Sequence, residues 1–214
     1  MNSRLPFFDA DSATRLENAR HPYPVVSLFS GAMGLDLGLN EAGLRVAVSQ
    51  DMDKWCIETM RRNSHLAIDG DIRDLIESDP SCEFFLQASG VTREALFAVV
   101  GGPPCQPFST AGKRKGVEDA RGQLYQEFIK VVSALRPRFF IMENVKGLAS
   151  MPCDPADKQS KPVLDTILES FKAIGYHTVH GILDAVHYGT PQFRERLVIV
   201  GSRDGEDVFL PAPT

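Results

Sequence analysis

The stretch Pro24-Val-Val-Ser-Leu-Phe-Ser-Gly-Ala-Met-Gly-Leu35 decides the fold. Residues 24–29 are a short apolar run bounded by turn residues, which reads as a buried strand ended by Ser30 and Gly31. A helical pattern follows through Leu35, Leu39 and Ala42, and Gly43 stops it. A strand, a glycine turn and a helix in this order open a sheet of parallel strands. At such a turn, glycine allows close backbone approach and the helix start offers free N–H groups, so nucleotide-like ligands bind there. The spacing is not that of a dinucleotide fingerprint, and a plain structural turn is an equal reading of this stretch alone.

The alternation continues outward. Strands are predicted over 45–50, 66–69, 96–100 and 138–142, with helices over 53–62, capped by Asp53, and 124–135, broken by Pro137. Residues 149–162 are polar and Pro-rich and read as a loop. A helix over 163–174 ends at Gly175, and two final strands cover 176–183 and 197–202. The expected fold is α/β and Rossmann-like, with a seven-stranded, mostly parallel sheet and helices on both faces. The last two strands lack an intervening helix, which predicts an antiparallel hairpin at one edge.

At 214 residues, with 43% apolar and 24% charged residues, the chain has the composition of a globular domain; disordered, collagen-like and coiled-coil chains are excluded. No apolar run approaches the roughly 20 residues a bilayer span needs. The first 20 residues are polar and of mixed charge, unlike a secretion signal. Residues 1–23 read as an N-terminal extension and 24–214 as the domain. Cys56, Cys82, Cys105 and Cys153 form no CxxC pair, which excludes a zinc ribbon and suits a reducing cytosol; no metal is expected. The net charge of −5 is unlike that of a domain gripping a duplex unaided. It is uneven, however: residues 36–83 hold 11 acidic and 5 basic side chains, whereas residues 106–150 hold 8 basic and 4 acidic.

Chemistry-bearing residues gather at the predicted strand ends. Asp51 lies 20 residues after Gly31, the place for a carboxylate that binds ribose hydroxyls. Asp71 ends the third strand on the same rim, where it could equally cap a helix. The loop Gly101-Gly-Pro-Pro-Cys-Gln-Pro-Phe-Ser109 holds Cys105 among prolines, and a rigid exposed cysteine suits a thiolate nucleophile. Glu143, after the fifth strand, is expected to be poorly hydrated, so that it could hold and donate a proton; a helix cap is the alternative. In Pro191-Gln-Phe-Arg-Glu-Arg196, alternation puts Arg194 and Arg196 on one face, where they could orient Glu143, a base carbonyl or a phosphate, or be solvated.

In order along the chain, residues 28–35, Ser49-Gln-Asp-Met-Asp-Lys54, Gly70-Asp-Ile72, residues 101–109, Asp119-Ala-Arg-Gly-Gln-Leu124, Glu143-Asn-Val145 and Gln192-Phe-Arg-Glu-Arg-Leu197 resemble motifs of the DNA (cytosine-5)-methyltransferase family. The resemblance implies transfer of a methyl group from S-adenosylmethionine, leaving S-adenosylhomocysteine, to C5 of a cytosine flipped out of double-stranded DNA. It implies catalytic roles for Cys105, Glu143, Asn144, Arg194 and Arg196. In its terms Phe29 and Met52 flank the adenine, Asp51 binds the ribose and Asp71 the adenine amino group. Ser30, Gly31, Gly34, Leu35, Ile72, Gly102, Pro104 and Leu124 complete the cofactor set, and Gln106, Ser109 and Gln192 meet the substrate.

The sequence departs from the family at Met33, often Gly, at Ser27, often Asp, and at Met52, often aromatic. The family's recognition region and last two motifs do not follow Leu197. This predicts a catalytic half that is incomplete alone, either one subunit of a two-chain enzyme whose second polypeptide carries them or a shortened piece of a longer chain, in the bacterial cytoplasm at the nucleoid. A non-catalytic S-adenosylmethionine-binding partner and an RNA cytosine-5 methyltransferase stay open beside it.

Overall fold

A computed structural model describes residues 23–104, 124–154, 156–157 and 159–214. Its sheet has seven strands: β1 (Pro24–Leu28), β2 (Arg45–Asp51), β3 (Ala67–Asp69), β4 (Ala98–Gly101), β5 (Phe139–Val145), β6 (His177–Asp184) and β7 (Glu195–Ser202), in the order β3-β2-β1-β4-β5-β7-β6. The pairs β3·β2, β2·β1, β1·β4 and β4·β5 are parallel, while β7 runs antiparallel to both neighbours. Around them lie α1 (Gly34–Glu41), α2 (Lys54–Arg62), α3 (Ile72–Ser78), α4 (Glu83–Ser89), α5 (Leu124–Leu135) and α6 (Val163–Ala173). No helix among the described residues is long and apolar enough to cross a membrane.

Every residue of β1 is buried, which is why its run is apolar without a polar face. Val25 packs with Leu39 of α1 on one side of the sheet; Val26 and Leu28 join α4, α5 and α6 on the other. The larger core centres on aromatic rings. Phe140 stacks on Phe171 at 3.9 Å between centroids, and Phe128 meets both edge-on. Complete burial of each such side chain contributes about 1.5–3 kcal/mol. Gly201 of β7 makes this packing possible, since a Cβ there would stand 2.0 Å from a ring carbon of Phe140.

Three features differ from the sequence reading. Helices α3 and α4 fill the β3-to-β4 crossover, where no helix is expected. Each has only seven residues, too few to show a 3.6-residue period. Strand β5 runs on through Glu143 to Val145, because β7 pairs with it beyond the point where β4 stops. The antiparallel hairpin does stand at one edge, but its reversed strand is the inner one: β7 inserts between β5 and β6 and leaves β6 outermost.

That insertion arranges the site. Because β7 is antiparallel to β5, its first residues lie beside the last residues of β5, with Val145 opposite Arg196 and Glu143 opposite Val198. The strand order also reverses direction between β1 and β4, opening a crevice at their C-terminal ends.

Candidate active site

A cavity of about 210 Å³ occupies that crevice. It is lined by Phe29, Gln50, Asp51, Met52, Asp71, Ile72, Gly102, Pro104 and Leu124, drawn from the ends of β1 to β4 and the starts of α3 and α5. Every one except Gln50 belongs to the cofactor set expected from the sequence. Met52 is 61% exposed at the mouth. Of the remaining expected residues, Ser30, Gly31, Gly34 and Leu35 form the turn and the first turn of α1 and do not line the cavity.

The turn after β1 is built from left-handed backbone at Phe29 (φ 54°), Gly31 (φ 56°) and Met33 (φ 69°). Two of these are not glycine, so the conformation costs energy that surrounding bonds must offset. Those bonds come from β2. The Gly31 amide donates to Asp51 Oδ2 at 2.8 Å, the Ser30 amide to the Gln50 carbonyl at 3.1 Å, and the Phe29 amide to Gln50 Oε1 at 3.4 Å. The Gln50 side chain also donates to the Gly70 carbonyl at 2.6 Å and so ties the first turn to the third. The sequence reading missed Gln50. Its one signal was a polar side chain at the end of an apolar strand.

The Asp51 carboxylate also accepts the Asp53 amide at 2.9 Å, and each oxygen retains a lone pair. Asp71 caps α3, accepting the Arg73 amide at 2.9 Å, and it lines the cavity. Hydrogen bonds from the Arg73 side chain, which outweigh partial burial, hold its carboxyl below the usual carboxylate range.

On the neighbouring strand ends, Arg196 Nε lies 2.8 Å from Glu143 Oε1. Glu143 is not poorly hydrated as expected: its side chain is 32% exposed, and the Arg196 guanidinium, 24% exposed, stands against it. Its other oxygen would lie 3.1 Å from a Cβ at position 102, so Gly102 leaves the space this carboxylate uses. Asn144 points the other way. Buried, it donates to the Pro103 carbonyl at 2.8 Å and fixes the loop two residues before Cys105.

Arg194 does not share a face with Arg196 through strand alternation, because β7 begins only at Glu195. Its amide donates to Asp184 at 2.7 Å, in an exposed loop that also carries Gln192. Cys105, Gln106 and Ser109 lie outside the described residues. Among the described residues no group of three His, Cys, Asp or Glu side chains could hold a metal.

A family model described as C-5 cytosine-specific DNA methylase matches residues 23–213. The type II methyltransferase M.AquIA of Picosynechococcus sp. is 40% identical over 197 residues, covering 89% of this chain and 76% of its own length. M.NgoFVII of Neisseria gonorrhoeae is 35% identical over 207 residues, which is 94% of this chain and 50% of that protein. A solved structure of a prophage-encoded E. coli protein, described as a DNA modification methyltransferase, superposes with a TM-score of 0.66 at 27% identity, over 85% of this chain and 47% of the other. The S. pombe Dnmt2 methyltransferase matches with a TM-score of 0.65 over 87% of this chain and 53% of its own; at 23% identity that likeness shows the fold alone. The chain thus spans about half the length of most of these proteins, and three quarters of M.AquIA.

Proposed function

The chain belongs to the C-5 cytosine-specific DNA methylase family, and from that premise we propose that it transfers a methyl group from S-adenosylmethionine to C5 of a cytosine flipped out of duplex DNA. The observation that carries this reading is the Glu143–Arg196 pair. It stands at the ends of β5 and β7, beside the Pro103-Pro104 segment that leads into Cys105, and next to a cavity at the adjoining strand ends.

The cavity suits an adenosine group by the chemistry of its wall. Phe29, Met52, Ile72 and Leu124 offer apolar faces to a ring, and Asp51 and Asp71 offer carboxylates to hydroxyl or amino hydrogens. When bound, S-adenosylmethionine supplies a methyl carbon made electrophilic by its sulfonium. The chain's own residues prepare the base that receives it. The Cys105 thiolate forms a bond to C6, and the C5–C6 electron pair becomes available at C5. Glu143, carrying a proton, donates it in a hydrogen bond to N3 and so stabilises the charge entering the ring, while Arg196 fixes the Glu143 side chain and holds the base. Once C5 has spent that electron pair on the methyl carbon, a base takes the C5 proton, and the C–H electron pair reforms the C5–C6 double bond as the Cys105 sulfur leaves as thiolate. Asn144 acts through Pro103 on the nucleophile loop; Gln106, Ser109, Gln192 and Arg194 face the nucleic acid.

Most relatives extend beyond the part that this chain matches, and base-sequence recognition belongs to such a further segment, on the same or on a second polypeptide, with the reaction in the cytoplasm beside nucleoid DNA. A duplex containing 5-fluorocytosine tests the chemistry. With S-adenosylmethionine and the recognition segment supplied, in the same or a second chain, wild-type protein is expected to form a covalent adduct and Cys105→Ala none. An adduct with Cys105→Ala would overturn the nucleophile, and adducts on tRNA alone would move the substrate to RNA.

A further inference from the structure

Five residues near the first turn form a polar cluster that the proposed chemistry does not use. Asp36 of α1 is fully buried. Its Oδ1 accepts the Ser27 hydroxyl of β1, and its Oδ2 the Ser49 hydroxyl of β2, each at 2.6 Å. Ser30, in the turn, bonds through its hydroxyl to that of Ser27 at 2.8 Å; His65 Nε2 stands 2.8 Å from the Ser49 hydroxyl.

Hydrogen accounting gives this cluster a direction. A carboxylate only accepts, and each hydroxyl has one hydrogen, so Ser27 and Ser49 both spend theirs on Asp36. Ser27 must then accept from Ser30, and Ser49 must accept from His65, whose proton therefore sits on Nε2. Burial holds the His65 imidazole below its ordinary range, against a smaller opposing pull from Asp36, so one ring proton suffices. Two branches converge on one carboxylate, and only the Ser27 branch reaches the turn.

We propose that Asp36 is a positioning residue for the cofactor site. Through Ser27 it holds the Ser30 hydroxyl, and with it the left-handed turn from Phe29 to Met33. The idea rests on the reading of the cavity as that site. Ser30 lies between Phe29, which lines the cavity, and Gly31, whose amide is held by the cavity residue Asp51. The β2 contacts fix the amides of this turn, whereas the Asp36 branch fixes a side chain, so the turn is clamped from two sides.

The two branches supply the test. Ser27→Ala and Ser49→Ala each delete one buried hydrogen bond to Asp36, so a purely structural cluster predicts matched effects. The expected result is a loss of about tenfold in S-adenosylhomocysteine affinity for Ser27→Ala, with Ser49→Ala within about twofold of wild type. Amide exchange at residues 29–33 should accelerate in Ser27→Ala and not in Ser49→Ala, a readout that needs no ligand. Asp36→Asn should largely rescue binding relative to Asp36→Ala. Its amide nitrogen can face Ser49, which then donates to His65 and drives the ring proton from Nε2 to Nδ1, visible in ¹⁵N NMR. Equal effects of Ser27→Ala and Ser49→Ala on exchange and affinity would overturn the proposal. A wild-type protein that binds no S-adenosylhomocysteine, yet shows the branch-specific exchange, would overturn the cofactor reading and leave the Asp36 clamp on the turn supported.

Discussion

Arg196 and Glu143 meet side by side, Nε to Oε1 at 2.8 Å, because β7 enters the sheet against β5. The pair is a quarter to a third exposed, so its contribution to stability is small, about 0–1 kcal/mol. Its contribution to the proposed reaction is larger, since it sets where the Glu143 oxygens point. Arg196→Ala is expected to lower kcat by on the order of a hundredfold or more while the thermal midpoint barely moves. A midpoint that falls steeply with activity would mark the pair as structural.

Gly102→Ala probes the same carboxylate from the other side. The new Cβ would stand 3.1 Å from Glu143 Oε2 and force it to shift. The expected outcome is a reduced kcat with near-normal stability, read by methylation assays and thermal melts in parallel.

Asn144→Ala leaves the Pro103 carbonyl without its donor. The cost in stability is about 1–3 kcal/mol, and the loop before Cys105 loses its anchor. Trapping rates on a 5-fluorocytosine duplex should fall, whereas S-adenosylhomocysteine affinity should hold.

Acid should weaken the fold in two separate windows. His65 is depressed below its ordinary 6.5 in the folded state, chiefly by burial. As pH falls below 6.5 the unfolded chain takes up a proton that the folded one refuses, so stability drops until the folded value is passed. His65→Gln retains a donor toward Ser49 and should abolish this window in urea titrations. The Asp71 carboxylate, which caps α3, and that of Asp79, which accepts the Ser81 hydroxyl and amide just after α3, are depressed below 3.8, the former mainly by Arg73 and the latter mainly by Ser81. Their stabilisation is present above 3.8 and lost as pH falls through their folded values.

Alkali should act through buried neutral groups. Burial pushes the Cys82 thiol from 9.0 up to about 11 and the Tyr176 hydroxyl from 10.0 up to about 12. Stability is full below the unfolded values and falls as pH rises through these intervals, because only the unfolded chain releases the proton. Cys82→Ala should flatten the first part of that decline in chemical denaturation at fixed pH.

Much of this was legible in the sequence, and the limits have physical causes. Apolar runs bounded by glycine reveal β1, β2 and β4, because strands buried on both faces carry little else. Residues at strand ends could be named for the cavity since parallel topology brings such ends to one rim. What periodicity cannot show is where β7 inserts, since its pairing with β5 and β6 depends on contacts distant in sequence. The Glu143–Arg196 contact and the loss of alternation at Arg194 both follow from that insertion. Gln50 and Asp36 escaped for another reason: their partners are backbone groups and serine hydroxyls brought near only by the folded sheet.

The place of β7 also sets an order of events during synthesis. The strand that fills the gap between β5 and β6 emerges after both, so those two strands wait with open edges until it arrives. Such edges are sites of intermolecular pairing, and contacts of long sequence separation form slowly. A ribosome-bound chain can therefore shape its first turn early, from β1 and β2. The carboxylate–guanidinium pair forms only when β7 slides home, which makes it a natural reporter of a closed sheet.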